Sequence, residues 1–266
     1  MMRIAIILVM LMMVQCEAFA DPPATQPATQ PGSGRPGWKL VWDDEFDTPG
    51  LPDPTKWAYE EGFVRNNEAQ YYTKARLENC RVENGALVIE ARKELFPNPH
   101  GGTARPAGYT SASIYTLGQA SWTFGRLEML AKLPRGNGVW PAFWTLGDNV
   151  SAVGWPACGE IDIMEFVGKT PDKVFGTLHW KHGGHQAKGG NLTVKEPWAD
   201  FHVYAVEWSA DRMDFFFDDT KYNSIALAAA ADDGSSNAFR KPHHLKLNLA
   251  VGGSWGGKID ESFLPT

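Results

Sequence analysis

From residue 38 onward the apolar residues recur mostly at every second position, in short runs broken by Gly, Pro, Asn and Asp. A period of two is that of a β-strand, whose successive side chains point to opposite faces. The runs include ALVIEAR at 86–92 and GRLEMLAKL at 125–133, the latter closed by Pro134. FHVYAVEW at 201–208 and RMDFFF at 212–217 flank a Ser-Ala-Asp turn and predict a hairpin. LKLNLAV at 245–251 is a late strand ending in Gly252-Gly253. Only residues 224–231 have a helical composition. Many closely spaced strands with almost no helix predict an all-β fold, an antiparallel sandwich or barrel. Parallel α/β enzymes are excluded, and the chain has neither a Gly-rich phosphate loop nor a nucleophile elbow.

Not all of the 266 residues belong to that pattern. Arg3, the apolar run at 4–14 and Ala18-Phe19-Ala20 before Asp21 have the order of an export signal. The run is too short for a comfortable membrane span. Gln15 is bulkier than the small residue expected before a lipidated Cys16, so secretion, extracellular or periplasmic, is the expectation. Residues 21–37, with Ala-Thr-Gln-Pro twice, cannot bury enough apolar surface to order themselves and read as a linker. The folded domain is therefore expected over 38–266. A net charge of -6 with a pI near 5.7 gives no reason to expect nucleic acid or an anionic membrane as partner, and a monomer is expected. Cys80 and Cys158 remain after processing, either as a disulfide or as two buried thiols. His179, His182 and His185 lie close in sequence beside Gly183-Gly184, with no fourth ligand in view for zinc.

The chemistry is concentrated in GEIDIMEF at 159–166, where three carboxylates interrupt an apolar run. Acidic residues are disfavoured in strands and costly to bury unpaired. A solvated strand face would account for Glu160 and Asp162. Glu165, an odd five residues from Glu160, would then point to the opposite face. A β-bulge near Ile163-Met164 would return it to the same side, and bulges of this kind are enriched beside active sites. Two carboxyl groups facing one site are what retaining glycoside hydrolysis needs, one as nucleophile and one as acid/base. Asp162 between them would hold one glutamate ionised and raise the pKa of the other. Trp140, Trp144 and Trp155 lie just upstream, and flat indoles offer an apolar face to a pyranose ring. Phe143 and Leu146 are the better core candidates of that segment.

These residues resemble glycoside hydrolase family 16, specifically its laminarinase-like β-1,3-glucanases. The motif Glu-x-Asp-x-x-Glu is matched by Glu160, Asp162 and Glu165, set between WPAFW upstream and EFVG downstream. WDDEF at 42–46, NNEAQYYT at 66–73, YTSAS at 109–113, GTLHW at 176–180, residues 201–218 and NLAVGG at 248–253 also have counterparts. The resemblance implies a jelly-roll, concanavalin-like sandwich of two curved antiparallel sheets with a concave substrate cleft. It implies Glu160 as nucleophile, Glu165 as acid/base and Asp162 as the assisting acid. Trp140, Trp144, Trp155, His179 and Asn66 would line the glucan subsites. No cofactor is required. A structural calcium is left open, with oxygen ligands available at Asp43-Asp44-Glu45. The family's usual final strand, with an Asp that can help hold that calcium, has no counterpart before Thr266.

The implied activity is retaining endo-hydrolysis of β-1,3 linkages in laminarin-type or mixed β-glucans. Sulfated galactans, substrates of other family members, would call for basic residues in the cleft. The cleft candidates are aromatic and neutral, so a neutral β-glucan is preferred as the polysaccharide partner. A non-catalytic glucan-binding protein on the same sandwich would be expected to lack the two glutamates. A transglycosylase would share the covalent intermediate and differ in what resolves it.

Overall fold

The computed structural model describes residues 5–7, 37–97, 106–230 and 237–264. The expected export signal, apart from Ala5–Ile7, and the expected linker up to residue 36 lie outside the described residues.

One sheet positions the site. Its seven strands in chain order are β1 (Ala58–Tyr59), β2 (Ser113–Tyr115), β3 (Val139–Gly147), β4 (Glu160–Glu165), β5 (Lys173–Lys181), β6 (His185–Thr193) and β7 (His243–Val251). They lie in the order β6-β5-β4-β3-β7-β2-β1, all antiparallel. The non-sequential pairing of β7 between β3 and β2 brings the end of the domain to the middle of the sheet. A second sheet runs Thr220–Ala226, Arg212–Phe217, His202–Trp208, Gly125–Ala131. Cys80–Glu83 and Ala86–Glu90 form a third with Ala5–Ile7, and Gln70–Tyr72, Ala107–Ser111 and Arg92–Phe96 a fourth. The expected hairpin closes with Trp208 opposite Met213.

The alternation in sequence divides the faces of the sheet. Along β7, Leu245, Leu247, Leu249 and Val251 enter the core with Phe143 of β3, Ile161 of β4 and Leu178 of β5. The second sheet supplies Met129, Val206, Met213, Phe215 and Ile225 to the same core. This is the sandwich arrangement, two inner faces interdigitating, and the fold is the expected jelly roll. The other set of β7, His244, Lys246, Asn248 and Ala250, faces the cleft beside Trp140, Ala142, Trp144 and Leu146 of β3.

Two expectations need correction. Leu146 is half-buried opposite Glu160 and His244 on the cleft-side register of β3, so it is not a core residue. The helix expected at 224–231 is a strand through Ala226 followed by one 3₁₀ turn, Leu227–Ala230. Pairing with Arg212–Phe217 overrides the Ala-rich composition there. Of the two readings open for Cys80 and Cys158, the structure has the buried free thiols.

Candidate active site

Catalytic-face geometry originates at Gly159. Its φ of +81° is a conformation in which L side chains are strained, and a Cβ there would lie 2.9 Å from Ala238 Cβ. The chain thus enters β4 at an angle only glycine accepts easily. Against β3, Trp144 pairs with Asp162 and Phe143 with Met164, so Ile163 is the extra residue. On the other side Asp162 and Glu165 face Thr177 and Phe175, three steps against two. The expected bulge is present, and it places Glu160, Asp162 and Glu165 on one face.

Each carboxylate is held differently. Glu160 is half-buried, and its Oε2 accepts a 2.8 Å hydrogen bond from Trp155 Nε1. Asp162 is buried at 3% exposure, with Oδ2 3.2 Å from His179 Nε2. Removal from water, then the charge and hydrogen bond of Glu160, hold its pKa well above the ordinary carboxylate range. Glu165 accepts a 2.9 Å hydrogen bond from Trp140 Nε1. Its pKa is also well raised, first by removal from water and then by the charge of Asp162, while the Trp140 bond opposes the rise. Coupled groups of this kind titrate as a set. The arrangement favours a protonated Glu165 while an anion remains elsewhere in the group.

The aromatic residues divide by exposure. Trp155 is 50% exposed and is the open ring among the three upstream tryptophans. Trp140 is 9% exposed and packs edge-on against Trp255, which also meets Phe175. Trp144 is 7% exposed, donates to Asn248 Oδ1 at 2.8 Å, and has Lys246 Nζ and Arg65 Cζ 4.6 and 5.1 Å from its ring centroid. His179 also faces His185, Nδ1 to Nε2 at 2.9 Å. The His185 ring lies 4.7 Å from that of Trp155. Asn66 is exposed at φ +53°, where Asn is tolerated. Its side chain donates to Glu68, and its carbonyl accepts from Ser254 N, fixing the turn that carries Trp255.

Arg65, Lys246, Asn248 and Trp255 are not legible as site residues in the sequence, because strand order and loop packing bring them here, and His185 is legible there only as one of three histidines short of a zinc ligand. Arg65 and Lys246 both pair with Glu60, whose carboxylate also accepts from Ser113 Oγ. Burial opposes ionisation of Glu60, but the two cations overcome it and hold its pKa down at about 2.

Two donor groups bear on metals. Glu160, Asp162 and His179 each offer a ligand atom within 4.8 Å of the others, so His179 meets carboxylates rather than the neighbouring histidines alone. At Asp43-Asp44-Glu45, Lys56 Nζ donates to Asp43 O at 2.8 Å and lies 3.4 Å from Asp44 Oδ1. Asp44 Oδ2 accepts from Trp57 Nε1 at 2.7 Å. Lys56 thus supplies a cation to Asp43 O and Asp44 Oδ1.

Known proteins resemble the chain over most of its length. The family model described as "Glycosyl hydrolases family 16" matches residues 67–262. The chain is 48% identical over 242 residues to the "Beta-glucanase" of Rhodothermus marinus, covering 86% of this chain and 82% of that protein. It is 39% identical to the "Glucan endo-1,3-beta-glucosidase" of Cryptopygus antarcticus, covering 83% of each. The solved structure of the laminarinase from Rhodothermus marinus superimposes with a TM-score of 0.77 at 44% identity, covering 86% of this chain and 92% of that one. With a bulged Glu-x-Asp-x-x-Glu strand in the seven-stranded sheet of a jelly roll, the chain belongs to glycoside hydrolase family 16.

Proposed function

We propose that the protein cuts β-1,3-glucosidic linkages within laminarin-type or mixed β-glucans, retaining the anomeric configuration. The observation that carries the reading is the bulge at Ile163, which turns Glu165 onto the face of Glu160 and Asp162. Glu160, half-buried and held from outside by Trp155, is placed to attack the anomeric carbon. Glu165, whose surroundings favour its protonated form, gives that proton to the departing glycosidic oxygen. As a carboxylate it then takes a proton from the water that resolves the glycosyl-enzyme. Asp162 shares a hydrogen bond with Glu160 and steadies the nucleophile before it attacks. Trp155, open to solvent, offers a ring for a sugar.

The cations near the cleft favour a neutral substrate. Arg65 and Lys246 are committed to Glu60, and Lys246 is 5% exposed, so neither is free to pair with a sulfate. Export to a glucan-containing compartment fits the apolar run at 4–14 and the small residues Ala18 and Ala20. The test is to count new reducing ends from laminarin, mixed-linkage glucan, agarose and κ-carrageenan, with Glu160→Ala as control. Release from laminarin by the unsubstituted protein alone is expected. Release confined to agarose or carrageenan would overturn the substrate, and release by Glu160→Ala would overturn the nucleophile.

A further inference from the structure

The residue that the catalytic strand does not explain is His185. In the β5–β6 hairpin Lys181 pairs with His185 and His179 with Ala187, so the two histidines are diagonal neighbours on the cleft face. Their rings stack 5.2 Å apart at 20°, and Trp155 closes over His185 at 4.7 Å. His185 is exposed, His179 lies beneath it, and Asp162 is buried below both. The atoms form one file: a 2.9 Å hydrogen bond joins His185 Nε2 and His179 Nδ1, and His179 Nε2 stands 3.2 Å from Asp162 Oδ2, a buried oxygen without a hydrogen-bond partner that a small turn of the ring would bring into line.

A neutral imidazole carries one ring proton, so each junction in that file constrains the next. If Asp162 is protonated, it donates to His179 Nε2, and His179 Nδ1–H donates to His185 Nε2. If Asp162 is ionised, His179 Nε2–H donates to it, and His179 Nδ1 accepts from His185 Nε2–H. We propose that His179 and His185 form a proton relay between buried Asp162 and solvent, with His185 a positioning residue for the hydrolytic cycle. This rests on the retaining reading above. In the outward direction Asp162 gives its proton to His179 Nε2, His179 Nδ1–H passes to His185 Nε2, and His185 Nδ1–H passes to water. One proton leaves, both rings end neutral, and Asp162 is left ionised.

The cycle has a use for such a path. Esterification of Glu160 removes the neighbouring charge that favours a proton on Asp162, and hydrolysis restores it. Asp162 is too buried to exchange that proton directly. The charged and titratable groups facing the file are Glu160, Asp162 and Glu165 of β4 and Lys181 of β5, opposite His185, with Lys246 of β7 acting on Glu160.

Two measurements test the relay. Without substrate, ring ¹⁵N shifts of His179 are expected to show its proton moving from Nδ1 to Nε2 as pH rises. A single tautomer throughout would overturn the relay, whatever the protein does to laminarin. With laminarin, His185→Ala and His185→Gln are each expected to lower kcat about 10-fold, below the ~10²–10⁴ of a direct acid or base. KM should change less than twofold, and added imidazole should restore kcat to His185→Ala alone. The Gln amide donates to His179 but cannot pass a proton on. Unsubstituted kcat in His185→Gln, or a loss confined to KM in both variants, would therefore overturn the relay. Failure of the unsubstituted protein on laminarin would instead count against the glucanase reading, leaving the NMR result to decide the relay.

Discussion

At the scale of single residues, the site is a set of carboxylates whose protonation is set by what each touches. Trp140 Nε1–H stabilises the charged form of Glu165. Trp140→Phe removes that donor, so the pKa of Glu165 should rise further. The alkaline limb of kcat/KM is expected to move to higher pH, read from a pH–rate profile on laminarin. A limb moving to lower pH would contradict the assignment of Glu165 as the acid. Glu165→Ala should cost about 10²–10⁴ in kcat on laminarin, where the departing sugar needs a proton. The loss should shrink on an aryl β-glucoside of laminaribiose, whose leaving group does not.

At the scale of elements, β4 works because its entry and its bulge are both specified. Gly159→Ala puts a Cβ into left-handed backbone against Ala238. A loss of about 1–2 kcal/mol is expected, read as a lower denaturation midpoint at unchanged slope. Much of this strand was legible in the sequence, because a step of five from Glu160 to Glu165 is an odd spacing that alternation cannot reconcile with one face. The neighbouring strands were less so. Leu146 looks like core by type but falls in the same parity as Trp144, opposite Glu160. Residues 224–226 look helical by composition, yet a partner strand claims them. Trp144 reads as a sugar platform in isolation, but Arg65 and Lys246, distant in sequence, lie over its ring. What pairing between remote segments decides, local pattern does not contain.

At the scale of the molecule, the buried groups pull stability in opposite directions with pH. His243 is 1% exposed, between Thr145 Oγ1 and Ala238 O, and burial lowers its pKa to about 4. The unfolded chain takes up that proton near pH 6.5, so His243 should remove about 3 kcal/mol of stability as pH falls from 6.5 to 4. His243→Gln should flatten that slope in thermal unfolding. Glu165 has the opposite sign: its raised folded pKa gives stability that is present below about pH 4 and lost as pH rises through the folded value. Glu165→Gln should therefore raise Tm at pH 8 by about 2–4 °C and not at pH 4. The jelly roll itself was readable from period-two runs, since nearly every strand carries one apolar and one polar face. The position of β7 at the centre of the cleft sheet was not, because only strand order places Lys246 and Asn248 beside Trp144.

All of this serves one claim, that Glu160 attacks the sugar and Glu165 supplies the proton. Azide rescue with an aryl β-laminaribioside tests it most directly, with product configuration read by proton NMR. Glu160→Ala leaves room for azide on the face the nucleophile used, and an α-glycosyl azide is expected. Glu165→Ala still forms the glycosyl-enzyme, azide takes the place of water, and a β-glycosyl azide is expected. The reverse pairing of variants and products would contradict it.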